Sequence, residues 1–187
     1  MNIFDILGPV MVGPSSSHTA GAVRIGLVTR RLLGEKVKNA RIGMYGSFAA
    51  TGKGHGTDRA LVAGLLGMEP DDTRIPDSFS QAQREDMKFE IGEVSLSGAH
   101  PNTAVLKVEG VSGRTLEVQA SSLGGGRIMI NRLDGIDVNC TCEMPTLIVH
   151  NNDQPGHVAK GTSMLFECKI NIANMSLYRD RRGGIAV

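Results

Sequence analysis

A short string near the N-terminus combines hydroxyl groups with an imidazole and could bind a small anion. It reads Gly13-Pro14-Ser15-Ser16-Ser17-His18-Thr19. The string lies where a helix is predicted to begin, and the first N–H groups of a helix carry partial positive charge and lack partners within it. A well-capped helix is the alternative, but capping needs a single serine, so the extra hydroxyl groups favour the anion site. The helix dipole is also expected to lower the pKa of His18.

A second string, rich in glycine, could supply a base for proton transfer. It reads Gly52-Lys53-Gly54-His55-Gly56-Thr57-Asp58. Glycines on both sides of His55 let the backbone approach a ligand, and an imidazole titrates near neutral pH, as a general base should. The spacing is not that of a phosphate-binding P-loop, and Lys53 could either bind an anion or stay solvated. A surface histidine in a flexible loop is the alternative for His55.

Two further strings fall between predicted strands and could line the same pocket. The first covers residues 97–103 and carries His100 and Asn102, although a purely structural turn explains it equally well. The second ends in three consecutive glycines, Gly124, Gly125 and Gly126. Glycines are costly inside a sheet, but they suit a place where backbone N–H groups face a small anion. Together the four strings favour a small carboxylate or phosphate ligand with proton chemistry beside it.

The composition argues against several classes of protein. The 187 residues carry 20 basic and 19 acidic side chains, and a net charge of +1 does not favour nucleic acid or an anionic membrane as a partner. No segment approaches the ~20 apolar residues of a membrane helix, and the N-terminus lacks the basic region of a signal peptide. Three cysteines cannot all form disulfides, so a disulfide scaffold is not expected and a reducing, cytoplasmic location is predicted. The one close pair, Cys140 and Cys142, is only a weak metal signal, and no metal site is predicted in this chain.

The apolar pattern predicts an α+β domain in which two helices pack on a mostly antiparallel sheet. Ser16 or Ser17 is the expected N-cap of the first helix, and Gly34 is expected to end it. The predicted elements are a helix over 18–33, a strand over 37–45, a glycine-rich loop over 46–56, a helix over 59–66, and, from residue 88, strands with hairpin turns at 110–113 and 134–135.

The last part of the chain predicts the first half of a second, ferredoxin-like unit. Its expected elements are a strand over 146–149, a loop over 151–156, a helix over 156–168 and a strand over 170–178. Such a partial βαβ unit cannot bury its sheet face alone, so we expect either a truncated chain or a second chain that completes the fold. The predicted domains are therefore 1–142 and 143–187.

The four strings resemble the β subunit of the bacterial iron–sulfur L-serine dehydratases. The matching segments are Gly13 to Thr19, Tyr45-Gly46-Ser47, Thr51 to His55, His100-Pro101-Asn102 and Ser122 to Gly126, in order over residues 1 to about 140. The serine-rich string and the Thr-Gly-Lys-Gly-His string are highly specific in combination. The tail, through Asn151 to Gly156, is similar to the opening of an ACT domain.

The resemblance implies that L-serine is converted to pyruvate and ammonia by this chain together with an α subunit. Three cysteines of the α subunit would hold a [4Fe–4S] cluster that acts as the Lewis acid, so this chain alone would not be competent. The resemblance assigns removal of the α-proton to His55, with electrostatic help from Lys53. By the same resemblance, the residues that bind the substrate carboxylate or line the rest of the pocket are Ser15, Ser16, Ser17, His18, Thr19, His100, Asn102, Gly124, Gly125 and Gly126.

Two other interpretations stay open. The same fold is regulatory in some phosphoglycerate dehydrogenases, so a non-catalytic module that binds a small anionic effector is the main rival, and it would not need His55 as a base. A subunit that only stabilises its partner is the third. In the tail, Asp153 and Gly156 occupy the turn where ACT domains bind amino-acid effectors, usually across a dimer interface, which would favour a homodimer.

Overall fold

The computed structural model of the chain describes residues 10–187, apart from the side chain of Lys53. The predicted α+β class is confirmed, because the described residues form a six-stranded, mostly antiparallel sheet and several helices. In chain order the elements are a π-helical turn Ser16–Ala20, α1 Gly21–Leu33, β1 Val37–Gly46, α2 Ser47–His55, α3 Thr57–Leu65, a 3₁₀ turn Ile75–Asp77, α4 Ser78–Arg84, β2 Lys88–Glu93, β3 Asn102–Gly110, β4 Thr115–Gly124, β5 Arg127–Leu133, β6 Ile136–Cys140, β7 Asn151–Asn152, α5 His157–Glu167 and β8 Ile185–Ala186.

The main sheet has the strand order β2-β1-β3-β4-β5-β6. Only the β1–β2 pair in it is parallel, and this pair is connected through the helical segment between the two strands. Alternate side chains face the core, as in β3, where Ala104, Leu106 and Val108 are buried while Lys107 is exposed. In the β1–β3 register, Asn102 lies opposite Gly46, which brings the 97–103 turn to the end of β1.

Two hairpins follow the turn chemistry of their sequences. Asp134 and Gly135 have φ values of 47° and 81°, and two positive φ angles are what a two-residue type I′ turn requires. At the other end of β5, Gly125 and Gly126 have φ values of 60° and 74° between the paired residues Gly124 and Arg127. The turn itself therefore requires glycine at this second tip, independently of any bound anion.

Helices α1 and α3 touch backbone to backbone. α1 packs on β3, β4 and β5, and α3 packs along α1. A Cβ atom at Gly64 of α3 would overlap the backbone of Val23 and Leu27, and one at Gly26 of α1 would overlap the carbonyl oxygen of Leu61. Glycine is required at this crossing because no larger residue leaves room for the opposite backbone. The crossing also fixes how far apart the N-terminal ends of α1 and α3 can lie.

The loop predicted over 46–56 is wrong, because residues Ser47–His55 form α2. Two glycines in a helix of nine residues lower its intrinsic propensity, and this composition led to the loop prediction. Tertiary packing overrides that propensity: Phe48 is fully buried in the core, and Gly52 lies against the side chain of Met44. Gly56, with φ of 67°, ends α2 in the left-handed conformation, and α3 follows at once.

The tail matches its prediction only in part. α5 confirms the predicted helix, but the strands expected over 146–149 and 170–178 do not form. The first segment has no paired strand among the described residues, and the second is paired only at its last residue, Tyr178, which exchanges two backbone hydrogen bonds with Val187. An extended segment without a ladder partner gains nothing from being a strand. The tail's strands are instead the short pair β7–β8, with an added bridge from Arg179 to Ala186. None of the helices described from residue 10 onward is long and apolar enough to cross a membrane.

Candidate active site

The serine-rich string forms a tight helical entrance ahead of α1. Ser15 has extended backbone angles, and its Oγ accepts a hydrogen bond from the N–H of His18 at 3.1 Å. The N-cap is therefore Ser15, and the prediction of Ser16 or Ser17 was wrong by one or two residues because the helix opens with a π-helical turn. Single π turns inside helices are frequent at functional sites, since they widen the backbone where a side chain must be aimed.

His18 is held by serine hydroxyl groups at both ring nitrogens. Its Nδ1 lies 3.0 Å from Ser17 Oγ, and its Nε2 lies 3.0 Å from Ser47 Oγ. The edge of the ring also packs against Phe48, with ring centroids 5.3 Å apart. A neutral imidazole has one donor and one acceptor nitrogen, and a hydroxyl group can serve either of them. The contacts thus fit a neutral His18 whose ring cannot turn freely.

Burial lowers the pKa of His18 below 6.5, and the neighbouring His55 lowers it further, while a hydrogen bond with Ser47 opposes both. The lowering of the His18 pKa was predicted from the sequence, but the predicted cause was the helix dipole. The difference in cause matters, because burial and the neighbouring ring both depend on the tertiary structure around His18 and not on its own helix.

His55 reaches the same place from a different element. It is the last residue of α2, its side chain is exposed, and its ring centroid lies 5.1 Å from that of His18. Its carbonyl oxygen accepts a hydrogen bond from Thr19 Oγ1 at 3.2 Å. The end of α2 is thereby tied to the serine-rich turn, and the imidazole beside it faces solvent.

The glycine tip between β4 and β5 is tied to the beginning of α1 at two points. The N–H of Gly125 donates to Ser16 Oγ at 3.3 Å, and Nη1 of Arg24 donates to the carbonyl oxygen of Gly126 at 2.9 Å. The fourth string of the sequence analysis therefore meets the first, although more than one hundred residues separate them.

The turn that carries His100 and Asn102 joins the site through its backbone. The carbonyl oxygen of Pro101 accepts a hydrogen bond from the N–H of Ser47 at 2.8 Å, at the first residue of α2. Nδ1 of His100 accepts a hydrogen bond from the N–H of Asn102 at 3.2 Å, and this bond within the turn orients the exposed ring. The buried Thr103 donates to the carbonyl oxygen of His100 and so closes the turn.

The structure therefore brings all four strings together at one end of the sheet. The contacts run from Gly125 to Ser16, from Thr19 to His55, and from His18 through Ser47 to Pro101. The side chain of Lys53 lies outside the described part of the chain, so its electrostatic role stays a prediction. Two surface clefts lie elsewhere, one beside Lys36 and Met87 and one between Phe79 and Phe89. Where the four strings meet, His55, His100 and Gly125 are exposed, and we call this region the open surface.

Two residues of this surface were not among the predicted site residues. Ser47 lay in the quoted Tyr45-Gly46-Ser47 string, and its place directly after a strand was a signal that could have found it. Arg24 gave no such signal, because an exposed arginine on an amphipathic helix is ordinarily a solvated side chain.

The tail residues Asp153 and Gly156 lie where they were predicted, in the turn before α5. Gly156 precedes α5 with φ of 93°. The carboxylate of Asp153 accepts hydrogen bonds from Arg179 at 2.9 Å and from the N–H of Gly183 at 3.1 Å, so it holds the short tail sheet together. An effector at this turn stays a prediction.

The lowered pKa of His18 predicts how folding stability depends on pH. Below pH 6.5 an unfolded His18 takes up a proton, while the folded residue stays neutral until its own lower pKa is reached. The unfolded state then binds more protons, so the free energy of unfolding should fall on acidification through this window. Urea denaturation of the His18→Gln variant at several pH values should show a smaller fall than the wild-type chain. His157→Gln, in the tail, is the control, and an unchanged pH dependence in His18→Gln would contradict the prediction.

The comparisons with known proteins identify the family to which the chain belongs. The profile of the family described as "Serine dehydratase beta chain" matches residues 2–132. The chain belongs to this family. The matched range includes all four strings, from the serine-rich turn to the glycine tip.

Two individual relatives align with nearly the whole chain. A protein of Bacillus subtilis named "Probable L-serine dehydratase, beta chain" is 40% identical over 186 residues, which are 100% of this chain and 84% of that protein. The "L-serine dehydratase, beta chain" of Peptoniphilus asaccharolyticus is 37% identical over 179 residues, 95% of this chain and 81% of that protein. "L-serine dehydratase 2" of Escherichia coli is 42% identical over 81 residues, 40% of this chain and 17% of that protein.

Proposed function

We propose that this chain is the β subunit of an iron–sulfur L-serine dehydratase and supplies the base and the carboxylate site for deamination of L-serine to pyruvate and ammonia. The observation that carries the proposal is the contact between two imidazoles at a serine-rich helix entrance, with ring centroids of His18 and His55 5.1 Å apart. The names of the two near full-length relatives support the same substrate.

The serine-rich turn is the proposed binding site for the carboxylate of serine. The N–H of His18 is used by Ser15 Oγ, so the anion would be met by the preceding amides and hydroxyl groups of Ser16 and Ser17. The partial positive charge at the start of the helix favours a carboxylate there. Thr19, whose hydroxyl group bonds the His55 backbone, would act by holding the two sides of the site together.

His55 is the proposed base for the α-proton. Its imidazole is exposed beside the serine-rich turn, so a carboxylate bound at that turn would present its α-carbon within reach of the ring. His18 cannot fill this role equally well, because serine hydroxyl groups occupy both of its nitrogens. We infer instead that His18, held between the hydroxyl groups of Ser17 and Ser47, packs beside His55 and helps to position its ring.

The described residues of this chain do not fit an iron–sulfur cluster. From residue 10 onward no three side chains of His, Cys, Asp or Glu come together as a metal site. Cys140 and Cys142 lie with their sulfur atoms 3.4 Å apart, and burial raises the pKa of the Cys142 thiol to about 12, which disfavours the thiolate that a metal needs. The proposal therefore assigns a [4Fe–4S] cluster to the α subunit, where it would act as Lewis acid toward the departing hydroxyl group.

The open surface supports the need for an α subunit. An active site that removes a weakly acidic proton works best when water is kept out, and His55, His100 and Gly125 are exposed. A partner that lies over this surface would enclose the substrate and bring the cluster to it. His100, Asn102 and the 124–126 tip would then line the walls. We place the enzyme in the cytoplasm, where the three free cysteines stay reduced.

The tail is proposed as the start of a separate, ACT-type domain from residue 143, with Asp153 and Gly156 at an effector turn and a homodimer as its natural assembly. Its support is the burial pattern, since α5 buries none of its residues and the tail exposes apolar side chains such as Phe166.

Reconstitution with the α subunit tests the proposal directly. Pyruvate release from L-serine is expected from the α–β mixture prepared under anaerobic conditions, and not from this chain alone. Pyruvate from this chain alone would contradict the division of roles. A mixture that stays inactive, while this chain binds a small anion measurably by calorimetry, would favour the rival interpretation of a regulatory module.

A further inference from the structure

The outer glycines of the tip between β4 and β5 have little packing to hold them in place. Cβ atoms built at Gly124 and Gly125 would meet nothing within 4 Å, whereas Gly126 is buried. Exposed hairpin ends with few contacts open readily. Hydrogen bonds to the beginning of α1 are therefore expected to contribute much of what holds the outer end of the tip over the serine-rich turn.

Two hydrogen bonds connect the tip to the beginning of α1, and they are unequal. The bond from the Gly125 N–H to Ser16 Oγ is 3.3 Å long, at the weak end for an amide donor. The bond from Arg24 Nη1 to the carbonyl oxygen of Gly126 is 2.9 Å long and has a charged donor. Charge-assisted bonds are roughly twice as strong as neutral ones, so the bond from Arg24 is the stronger of the two.

We propose that Arg24 is a positioning residue for substrate binding, which holds the 124–126 tip against the serine-rich turn through the carbonyl oxygen of Gly126. This inference rests on the proposed function, because it takes the serine-rich turn and the tip as two walls of the L-serine site. Arg24 touches the tip and not the reacting atoms. Its loss should therefore weaken substrate binding and leave the chemical step at His55 nearly intact.

The test is steady-state kinetics of the reconstituted α–β enzyme with Arg24→Ala, Arg24→Lys and Arg31→Ala. Arg24→Ala should raise KM for L-serine by roughly tenfold with kcat within about threefold of wild type, the pattern of lost binding rather than lost chemistry. Arg24→Lys can still donate to Gly126, so most of the increase in KM should disappear. Arg31→Ala removes the same charge from the same helix at its surface ion pair with Glu69, and should leave KM unchanged.

A second readout follows the tip itself. Amide hydrogen exchange of a peptide covering residues 122–128 should be faster in Arg24→Ala than in wild type or Arg31→Ala, with no change in α3. A KM for Arg24→Ala within twofold of wild type, in a folded protein, would overturn this inference. It would leave the proposed function standing, because that is tested separately by His55→Ala. An inactive wild-type mixture, or a fully active His55→Ala enzyme, would overturn the proposed function and this inference with it.

Discussion

Replacing His55 with alanine should reduce kcat for L-serine by about 10²- to 10⁴-fold in the reconstituted enzyme, the range that a positioned general base usually contributes. Binding of serine should survive, because the serine-rich turn and the glycine tip keep their contacts without the imidazole. Stability should change little, since the side chain is exposed. Rapid quench of pyruvate formation and equilibrium binding of serine measure the two effects separately.

The matched control for this change is His157→Ala. His157 is also exposed and also lies at a helix end, but in the tail rather than beside the serine-rich turn. Its replacement should leave kcat within about twofold of wild type, an ordinary surface effect. If His55→Ala turned over serine as fast as His157→Ala, the assignment of the base would have to be abandoned.

Gly64→Ala is expected to lower the free energy of unfolding more than any other single substitution to alanine that removes no hydrophobic side chain. The new methyl group would overlap the backbone of Val23 and Leu27, and backbone atoms cannot rotate away as a side chain can. Overpacked cores lose about 1–3 kcal/mol, occasionally more, and we expect the upper part of that range even after the gain of up to about 1 kcal/mol in helix propensity. Urea denaturation of the purified chain measures the free energy of unfolding.

Gly161→Ala provides the opposite case on α5. A Cβ atom there would meet nothing within 4 Å, so only the gain in helix propensity remains and stability should be unchanged or slightly higher. A Gly64→Ala chain as stable as Gly161→Ala would show that α1 and α3 can separate freely. In that case the crossing would not fix the distance between the serine-rich turn and His55.

Local sequence patterns were sufficient wherever neighbours in the chain decide the structure. The helix that ends at Gly34 and the turn at Asp134-Gly135 were predicted correctly, because caps and type I′ turns depend on a few adjacent residues. The α2 helix was missed for the converse reason. Its stability comes from the burial of Phe48 and not from its own glycine-rich sequence.

The candidate site was predictable in its residues but not in its contacts. The string 13–19 and His55 were selected by residue type, whereas their proximity depends on the crossing of α1 with α3, and the arrival of the 97–103 turn depends on the β1–β3 register. Neither is encoded in any short window of sequence. The tail shows the same limit, since the strands predicted over 146–149 and 170–178 needed pairing along their length, and among the described residues only Tyr178, at the end of the second, is paired.

The backbone contact between Gly26 and Gly64 has a consequence for how this protein could be altered. No side chain stands between the two helices, so there is nothing at that point to trim or enlarge in order to tune their separation. Exposed side chains of the open surface, such as those of His55 and His100, could be exchanged one at a time without changing the separation of these two helices. The separation of the two helices cannot be increased in small steps by substitution here, because the crossing has no room for even one added methyl group.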